Sequence, residues 1–300
     1  MKKAIALGGG GAKGYAHLGV LKALKELDIH FDIVTGTSIG SFVGAVYAGG
    51  GIEKLEELSS KINIADLPRI LAPAFSKRGL LSGNYINQLL QKVIIQENIE
   101  DLPIKYAAVC VDINKGETVH FTKGDLGTAI RSSIAVPGLF TPVIIGDMFL
   151  VDGGVMEPVP VDSARELGAD IVVAVDLISK FKPFSEEAGS KRIFDNFPFK
   201  AEFNHLSDYI KKIGETLYIF EKDKKLFNDK TVIDIVQRIS DISQSRMIEN
   251  QIELGKPEIV ITPDVSNIDI LEFHKSKEGI DQGYKAAKEK FPEIKKLLKI

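Results

Sequence analysis

The most constraining feature of this sequence is a short β-branched run that leads directly into a GxSxG motif. Residues 31–35 are typical of a buried strand, residues 36–40 spell GTSIG, and the small apolar residues that follow favour a helix packed closely on a sheet. Strand, GxSxG and helix in this order form the pattern of a nucleophile elbow, in which the serine occupies a strained turn. Ser38 is therefore the candidate nucleophile. The flanking Gly36 and Gly40 are expected because a Cβ atom there would collide with neighbouring backbone.

Two simpler interpretations of this stretch remain open at this point. GxSxG is a loose motif, and a Gly/Ser turn between a strand and a helix is often only a connection. The other interpretation is a membrane-spanning helix, because residues 33–52 carry no charge and place Gly36, Gly40 and Gly44 at GxxxG spacing. Six glycines, two threonines and two serines make that run weakly apolar, and an acidic residue stands at either end, so a membrane span is disfavoured.

A run of four glycines near the N-terminus follows the first predicted strand. Residues 4–7 favour a strand and residues 15–27 an amphipathic helix, so the chain opens as a βαβα unit, which predicts a parallel sheet. Consecutive parallel strands commonly lie side by side, so this loop and the elbow are expected to meet at one edge of the sheet. Bare backbone N–H groups would then form an oxyanion hole. The candidate donors are those of Gly9, Gly10, Gly11 and Gly14.

Two nucleotide-binding interpretations of the same loop are weaker. Gly9, Gly11 and Gly14 match GxGxxG, but the ribose-binding acid of such a motif ends the second strand, whereas Asp32 stands at its beginning. A P-loop would need Ser or Thr after Lys13, where the sequence has glycine. The oxyanion-hole interpretation is therefore preferred.

A second candidate group is Asp152, which ends a predicted strand and precedes Gly153 and Gly154. An isolated Asp-Gly is often only a turn. Here a helix over 161–167 and a buried strand over 171–175 are predicted to follow, so Asp152 again lies at a strand end in an α/β pattern, where catalytic groups collect.

A serine hydroxyl needs a base to act as a nucleophile at neutral pH, and the usual partner is histidine. None of the five histidines lies in a glycine-rich strand-end setting, and a surface or packing role is preferred for each. An α/β-hydrolase would need Ser, acid and His in chain order, which leaves only His205 and His274 after Asp152. The histidines are His17, His30, His120, His205 and His274.

Four segments together resemble the patatin-like phospholipase family in its bacterial branch: GGGGAKGYAHLGVLKAL, GTSIGS, AIRSSIAVPGLFTPV and VDGG. The resemblance covers residues 4–176 closely. It implies a three-layer α/β/α sandwich with a mainly parallel central sheet, and a Ser38/Asp152 dyad that uses no histidine, no metal and no cofactor. It also places Lys13 at the family's basic position and matches residues 152–154 to its DG[A/G] motif.

Composition excludes several classes of protein. A formal net charge of -3 gives no electrostatic support for nucleic-acid binding. The single cysteine, Cys110, excludes an internal disulfide framework, and no Cys/His cluster has zinc spacing. The apolar run at the N-terminus is interrupted almost at once by glycines, Lys13 and His17, which does not fit a signal peptide, so the sequence predicts a cytoplasmic protein.

Three regions are predicted along the chain: a catalytic core over 1–178, an aromatic and lysine-rich helical insertion or cap over 179–230, and C-terminal helices and a strand over 231–300 that complete the same domain. Residues 181–227 hold eight of the sixteen phenylalanines, interleaved with lysines. That composition suits peripheral contact with a membrane, a cover over an acyl pocket, or a helical cap or subunit contact. These alternatives stay open, as does oligomerisation.

The sequence therefore predicts a serine esterase or lipid acyl hydrolase. Hydrolysis of an ester follows from the residues themselves, whereas a lipid substrate follows from the resemblance. The competing hypothesis is a binding or regulatory module that keeps this fold and lacks turnover.

Overall fold

The computed structural model describes residues 1–70, 73–76, 79–81, 83–178 and 232–300 of the 300-residue chain. Its strands are β1 Lys3–Leu7, β2 Ile33–Thr37, β3 Pro73–Ser76, β4 Gly79–Leu81, β5 Lys105–Asp112, β6 Glu117–Phe121, β7 Val143–Ile145, β8 Met148–Asp152, β9 Ile171–Val175 and β10 Ile259–Ile261. Its α-helices are α1 Tyr15–Lys25, α2 Ile39–Ala48, α3 Ile52–Ser59, α4 Leu67–Ile70, α5 Asn84–Val93, α6 Leu126–Ser133, α7 Val161–Glu166, α8 Val232–Gly255, α9 Ser276–Glu289 and α10 Phe291–Leu298.

The main sheet has eight strands in the described part of the chain, in the order β10-β9-β1-β2-β5-β8-β7, with β6 also paired to β5. The five strands from β10 to β5 in that order are mutually parallel. Strands β6, β7 and β8 form the antiparallel end of the sheet. The predicted α/β class with a mainly parallel central sheet is confirmed.

Helices cover both faces of the sheet. Successive side chains of each strand point to opposite faces, so β1 contributes to two apolar clusters. On β1, Ile5 and Leu7 belong to the larger apolar cluster, to which helices α1, α2, α3, α5, α6, α9 and α10 contribute. Ala4 and Ala6 belong to the second cluster, which includes Ile248 of α8 and the apolar side chains of α7. The alanines of β1 thus face the second cluster, and the predicted three-layer α/β/α arrangement is confirmed.

Two predicted elements differ from those observed. The second strand is Ile33–Thr37 instead of residues 31–35, because its pairing continues through Gly36 and Thr37 to neighbouring residues of β5. The pattern of residues 284–298 predicts one lysine-rich helix, whereas the structure has the end of α9 followed by α10. The break falls at Lys290, and a proline in the first turn of α10 explains it, since proline lacks an N–H for a continuing helix.

Two compact units divide the chain: Met1–Lys180 with Ser243–Ile300, and Phe181–Ile242. In the first unit, β10 adds an edge strand to the main sheet. Of the second unit, the structure describes only residues 232–242, the first part of α8. The predicted insertion over 179–230, with its membrane-contact segment 181–227, lies outside the described residues and stays a prediction.

Within the described ranges, every helix is too short or too polar to cross a bilayer. Residues 33–52, the stretch without charge, divide between β2, α2 and the start of α3.

Candidate active site

Ser38 occupies the turn between β2 and α2 with φ 56° and ψ -128°. Positive φ is uncommon for a residue with a Cβ atom, and such strain persists only where the surroundings hold it. A sharp, strained strand-to-helix turn is the geometry expected of a nucleophile elbow. The side chain is largely buried, with 7% of the residue surface exposed.

The two glycines of the motif are required by close backbone contacts. A Cβ atom on Gly36 would overlap the carbonyl group of Gly40, and one on Gly40 would overlap the carbonyl oxygens of Leu7 and Gly8. The absence of side chains thus lets the first turn of α2 approach both its own strand and the end of β1. This brings Ser38 next to the glycine loop.

Hydroxyl groups on both sides hold the Ser38 backbone. The Ser38 N–H donates to Ser133 Oγ over 2.9 Å, and Ser133 Oγ donates to the Val109 carbonyl over 2.5 Å. The Ser41 hydroxyl donates to the Ser38 carbonyl over 2.6 Å. Sequence reasoning missed Ser133 because its role depends on a contact 95 residues away, although it lies in one of the four segments that carry the family resemblance.

Asp152 approaches the site from β8, which runs antiparallel to β5 and ends opposite Cys110. In β5, Cys110 directly follows the partner of Thr37 in β2, so Asp152 reaches the sheet at the level of the elbow. Its N–H donates to the Ala135 carbonyl over 3.0 Å. The next residue must be small, because a Cβ atom on Gly153 would overlap the carbonyl oxygen of Val109.

Burial raises the pKa of the Asp152 carboxyl from 3.8 to about 6. Two interactions oppose that shift, since the Ser38 hydroxyl and the Gly154 N–H both favour the charged form. The Gly154 N–H bonds Oδ1 over 2.7 Å. The other oxygen, Oδ2, is buried and has no partner at ordinary hydrogen-bond distance within the described ranges, which leaves it able to accept a proton.

The glycine loop lies against the elbow: a Cβ atom on Gly9 would stand 3.3 Å from that of Ser38. The Gly9 N–H is already bonded to the carbonyl of Pro158, over 3.0 Å. Gly10 and Gly11 have positive φ angles of 150° and 58°, and neither N–H bonds another described residue. These two N–H groups are therefore the ones that this loop leaves available for an anion.

Two further residues of the loop, Gly14 and Lys13, are closely packed. Gly14 packs against Ile39, whose side chain a Cβ atom on Gly14 would overlap. Lys13 precedes Gly14 in the short 3-10 turn Gly11–Gly14 and is 9% exposed. It forms no ion pair with a carboxylate in the described part of the chain, and its Cβ atom lies against Gly10, where an added Cβ atom would stand 3.4 Å away.

His17 is fully buried on α1 and supports the start of the glycine loop. Its Nε2–H donates to the Gly8 carbonyl over 2.8 Å, and burial lowers its pKa from 6.5 to about 4, so the ring is neutral at pH 7. No histidine in the described ranges bonds Ser38 or Asp152; His205 lies outside those ranges. The packing role preferred for His17 from the sequence did not include its bond to the loop.

An apolar cavity is lined by Gly11, Gly14 and Ile39, the residue after Ser38, and extends between α1, α2, α3 and α5. It contains about 440 Å³ of empty space, including open solvent at its mouth. Almost every lining side chain is apolar: besides the three residues above, the walls are formed by Ala12, Tyr15, Leu18, Phe42, Val43, Leu55, Ser59, Ile62, Ile70, Tyr85, Ile86, Leu89 and Phe273. The lining of this cavity suits contact with an apolar chain.

Comparison with known proteins identifies a family and several relatives. A family model described as Patatin-like phospholipase matches residues 5–165. An uncharacterized NTE family protein of Mycobacterium tuberculosis is 37% identical over 174 residues, which are 58% of this chain and 48% of that protein. Human patatin-like phospholipase domain-containing protein 6 is 34% identical over 183 residues, which are 59% of this chain and 13% of that protein.

Lysophospholipase NTE1 of Pyricularia oryzae is 28% identical over 285 residues, which are 94% of this chain and 18% of that protein. The chain therefore spans less than half the length of these relatives. Among solved structures, VipD from Legionella pneumophila matches 96% of this chain and 66% of its own, with 14% identity and a TM-score of 0.48.

Proposed function

Because the chain belongs to the patatin-like phospholipase family, we propose that it is a serine-dependent lipid acyl hydrolase, with Ser38 as nucleophile and Asp152 as general base. The family and the lysophospholipase relative support hydrolysis of a lipid ester. The dyad is proposed from the geometry of this chain. The observation that carries it is the position of Asp152, whose buried carboxyl reaches the sheet at the level of the elbow and has one oxygen, Oδ2, without a partner among the described residues.

In the proposed reaction, Asp152 Oδ2 takes the hydroxyl proton while Ser38 Oγ attacks the ester carbonyl carbon. The protonated carboxyl then gives its proton to the departing alcohol, leaving an acyl-enzyme. In the second half, Asp152 takes a proton from water, whose oxygen attacks the acyl carbon. Collapse of that intermediate releases the acid and returns the proton to Ser38. A base with a pKa near 6 is charged at pH 7 and still basic enough to share a proton in the transition state.

Negative charge that develops on the carbonyl oxygen needs donors fixed beforehand. The Gly10 and Gly11 N–H groups are the proposed donors, because the Gly9 N–H is committed to Pro158. Gly9 and Gly14 then serve to bring the loop close to Ser38 and Ile39. Lys13, in the same loop, adds a basic residue to this part of the chain.

The apolar cavity supports a substrate with a long acyl chain. One of its lining residues, Ile39, directly follows the nucleophile, and its walls offer an acyl chain almost no polar atom. Each methylene group transferred from water into such a site gains about 0.8 kcal/mol. We therefore assign the cavity to the acyl chain of the substrate.

The first experiment is labelling by a fluorophosphonate probe together with hydrolysis of p-nitrophenyl esters. Wild type should react with both, Ser38→Ala with neither, and Asp152→Asn should turn over at less than about 1% of the wild-type rate. Ser132→Ala is a matched control, because this buried serine bonds only within α6, to the Thr128 carbonyl. Full turnover in a folded Ser38→Ala protein, or an inert wild type, would contradict the proposed mechanism.

The cavity is tested by filling it. Ile62→Trp adds bulk to the wall, so kcat/KM for a laurate ester should fall at least tenfold relative to that for an acetate ester. Ile64→Trp is the matched control, because Ile64 is 62% exposed and does not line the cavity. An unchanged laurate-to-acetate ratio in Ile62→Trp would place the acyl chain elsewhere.

A further inference from the structure

Glu157 is a buried acid five residues after Asp152 that takes no part in the proposed chemistry. Only 5% of its surface is exposed. Its Oε1 accepts from the Ser163 N–H over 3.0 Å and from the Ser163 hydroxyl over 2.8 Å. Its Oε2 lies 3.2 Å from His120 Nε2. A carboxylate can be buried at tolerable cost only when it is bonded in this way.

These bonds anchor the Glu157 side chain to two separate elements. Ser163 lies in the first turn of α7, where backbone N–H groups lack partners within the helix, and Glu157 supplies one. His120 lies on β6, and its other ring nitrogen, Nδ1, is 3.0 Å from Glu166 Oε2. The position of the Glu157 side chain is therefore determined by α7 and by the edge of the sheet.

The backbone at Glu157 and Pro158 contacts all three segments of the candidate active site. The Thr37 hydroxyl, next to Ser38, donates to the Glu157 carbonyl over 2.7 Å. The Glu157 N–H donates over 2.7 Å to the carbonyl of Gly153, which follows Asp152. The Gly9 N–H, in the glycine loop, donates to the Pro158 carbonyl over 3.0 Å.

We propose that Glu157 is a positioning residue, whose anchored side chain fixes the one peptide segment that holds nucleophile, base and oxyanion loop in register. The proposal rests on the proposed function, because register matters only if these groups react together. Loss of the anchor would let the segment shift while the groups themselves remain. Small displacements of reacting groups reduce the rate of the chemical step far more than they weaken binding.

The test compares three variants by their kcat and KM for p-nitrophenyl butyrate, with circular dichroism as the check on folding. Glu157→Ala removes the anchor and should lower kcat about 10- to 100-fold with little change in KM. Glu157→Gln keeps an acceptor for the Ser163 N–H and should recover most of that loss. Glu166→Ala is the matched control, because Glu166 also contacts His120 but makes no contact with the segment, and its kcat should stay within twofold of wild type.

A kcat within twofold of wild type in folded Glu157→Ala would overturn the proposal. An equal loss in Glu157→Gln would also overturn it, because the charge and not the anchor would then matter. Failure of the proposed function gives a different result, since turnover would persist in Ser38→Ala whatever happens at Glu157.

Thr37→Val provides a test that does not depend on the folding of Glu157→Ala. It removes the hydroxyl that ties the nucleophile strand to the segment and nearly preserves side-chain shape. We expect a lower kcat in this variant. In the double variant of Thr37→Val and Glu157→Ala, the fold-loss in kcat should be smaller than the product of the two single fold-losses. Unchanged kcat in folded Thr37→Val would contradict the proposal.

Discussion

The backbone N–H of Ser38 donates to the hydroxyl of Ser133, which in turn donates to the carbonyl of Val109 on the neighbouring strand. Two residues after Ser133, the Ala135 carbonyl accepts the N–H of Asp152. The end of α6 therefore holds both members of the proposed dyad, although it contributes no reacting atom. Positioning by a packed helix end explains how two residues 114 positions apart in sequence share one site.

Replacement of Ser133 by alanine should weaken both fold and activity. The variant leaves the buried N–H of Ser38 without an acceptor, which costs roughly 1–3 kcal/mol of unfolding free energy. We also expect slower fluorophosphonate labelling, because the strained turn loses a support. Ser132→Ala is the control, and urea unfolding should show a loss below about 1 kcal/mol, since its hydroxyl only bonds back within α6. Equal stabilities of the two variants would contradict this role.

The pH dependence of catalysis should report Asp152. The carboxyl must be charged to accept the serine proton, and its pKa is about 6. Activity should therefore rise about tenfold per pH unit below 6 and level off above it. The measurement is kcat/KM for a p-nitrophenyl ester from pH 4.5 to 8. A rate that stays constant down to pH 4.5 in folded protein would show that another group acts as base.

Much of the fold was predictable because its signals are local. The strand over 171–175 has the predicted bounds, since it is a short, continuous run of β-branched and apolar residues. Parallel pairing of β1 with β2 followed from the βαβ order alone. Boundaries set by a partner strand were not predictable, and β2 therefore extends two residues beyond its predicted end.

At the candidate site, residue identities could be predicted but hydrogen-bond partners could not. The motifs singled out Ser38, Asp152 and the glycine loop. Nothing local indicates that the Gly9 N–H is bonded to Pro158, because the two residues are distant in sequence. His17 and Glu157 were missed for the same reason, since a buried polar residue has its role defined by what it bonds. Only the folded chain contains that information.

Glycine at position 40 should be indispensable. Gly40→Ala forces the new Cβ atom into the carbonyl oxygens of Leu7 and Gly8, so β1 and α2 must separate, at a cost of about 3 kcal/mol or more. Gly127→Ala on α6 is the control, because its Cβ atom would meet nothing closer than 3.5 Å and alanine favours a helix. Thermal unfolding should show a large loss in the first variant and none in the second. A stable, active Gly40→Ala protein would contradict the close packing.

His17 and Asp152 should affect the pH dependence of stability in opposite directions. Burial lowers the pKa of His17 from 6.5 to about 4, so the folded state binds fewer protons and loses stability as pH falls through that window. Burial raises the pKa of Asp152 from 3.8 to about 6, so the folded state binds more protons and gains stability as pH falls from 6 to 3.8. The two windows overlap, and wild type should show only a weak net effect from this pair.

Single variants separate the two contributions. His17→Gln keeps a donor for the Gly8 carbonyl but cannot be protonated, so its stability relative to wild type should rise by about 2 kcal/mol between pH 7.5 and pH 5. Asp152→Asn cannot bind a proton at this position, so it lacks the stability that wild type gains as pH falls. Its stability relative to wild type should therefore fall by about 1 kcal/mol over the same range. Urea unfolding at the two pH values measures both differences, with the exposed His30→Gln as control. Differences of the same sign in the two variants would contradict the opposed burial of these groups, because only opposite shifts in pKa make one variant gain where the other loses.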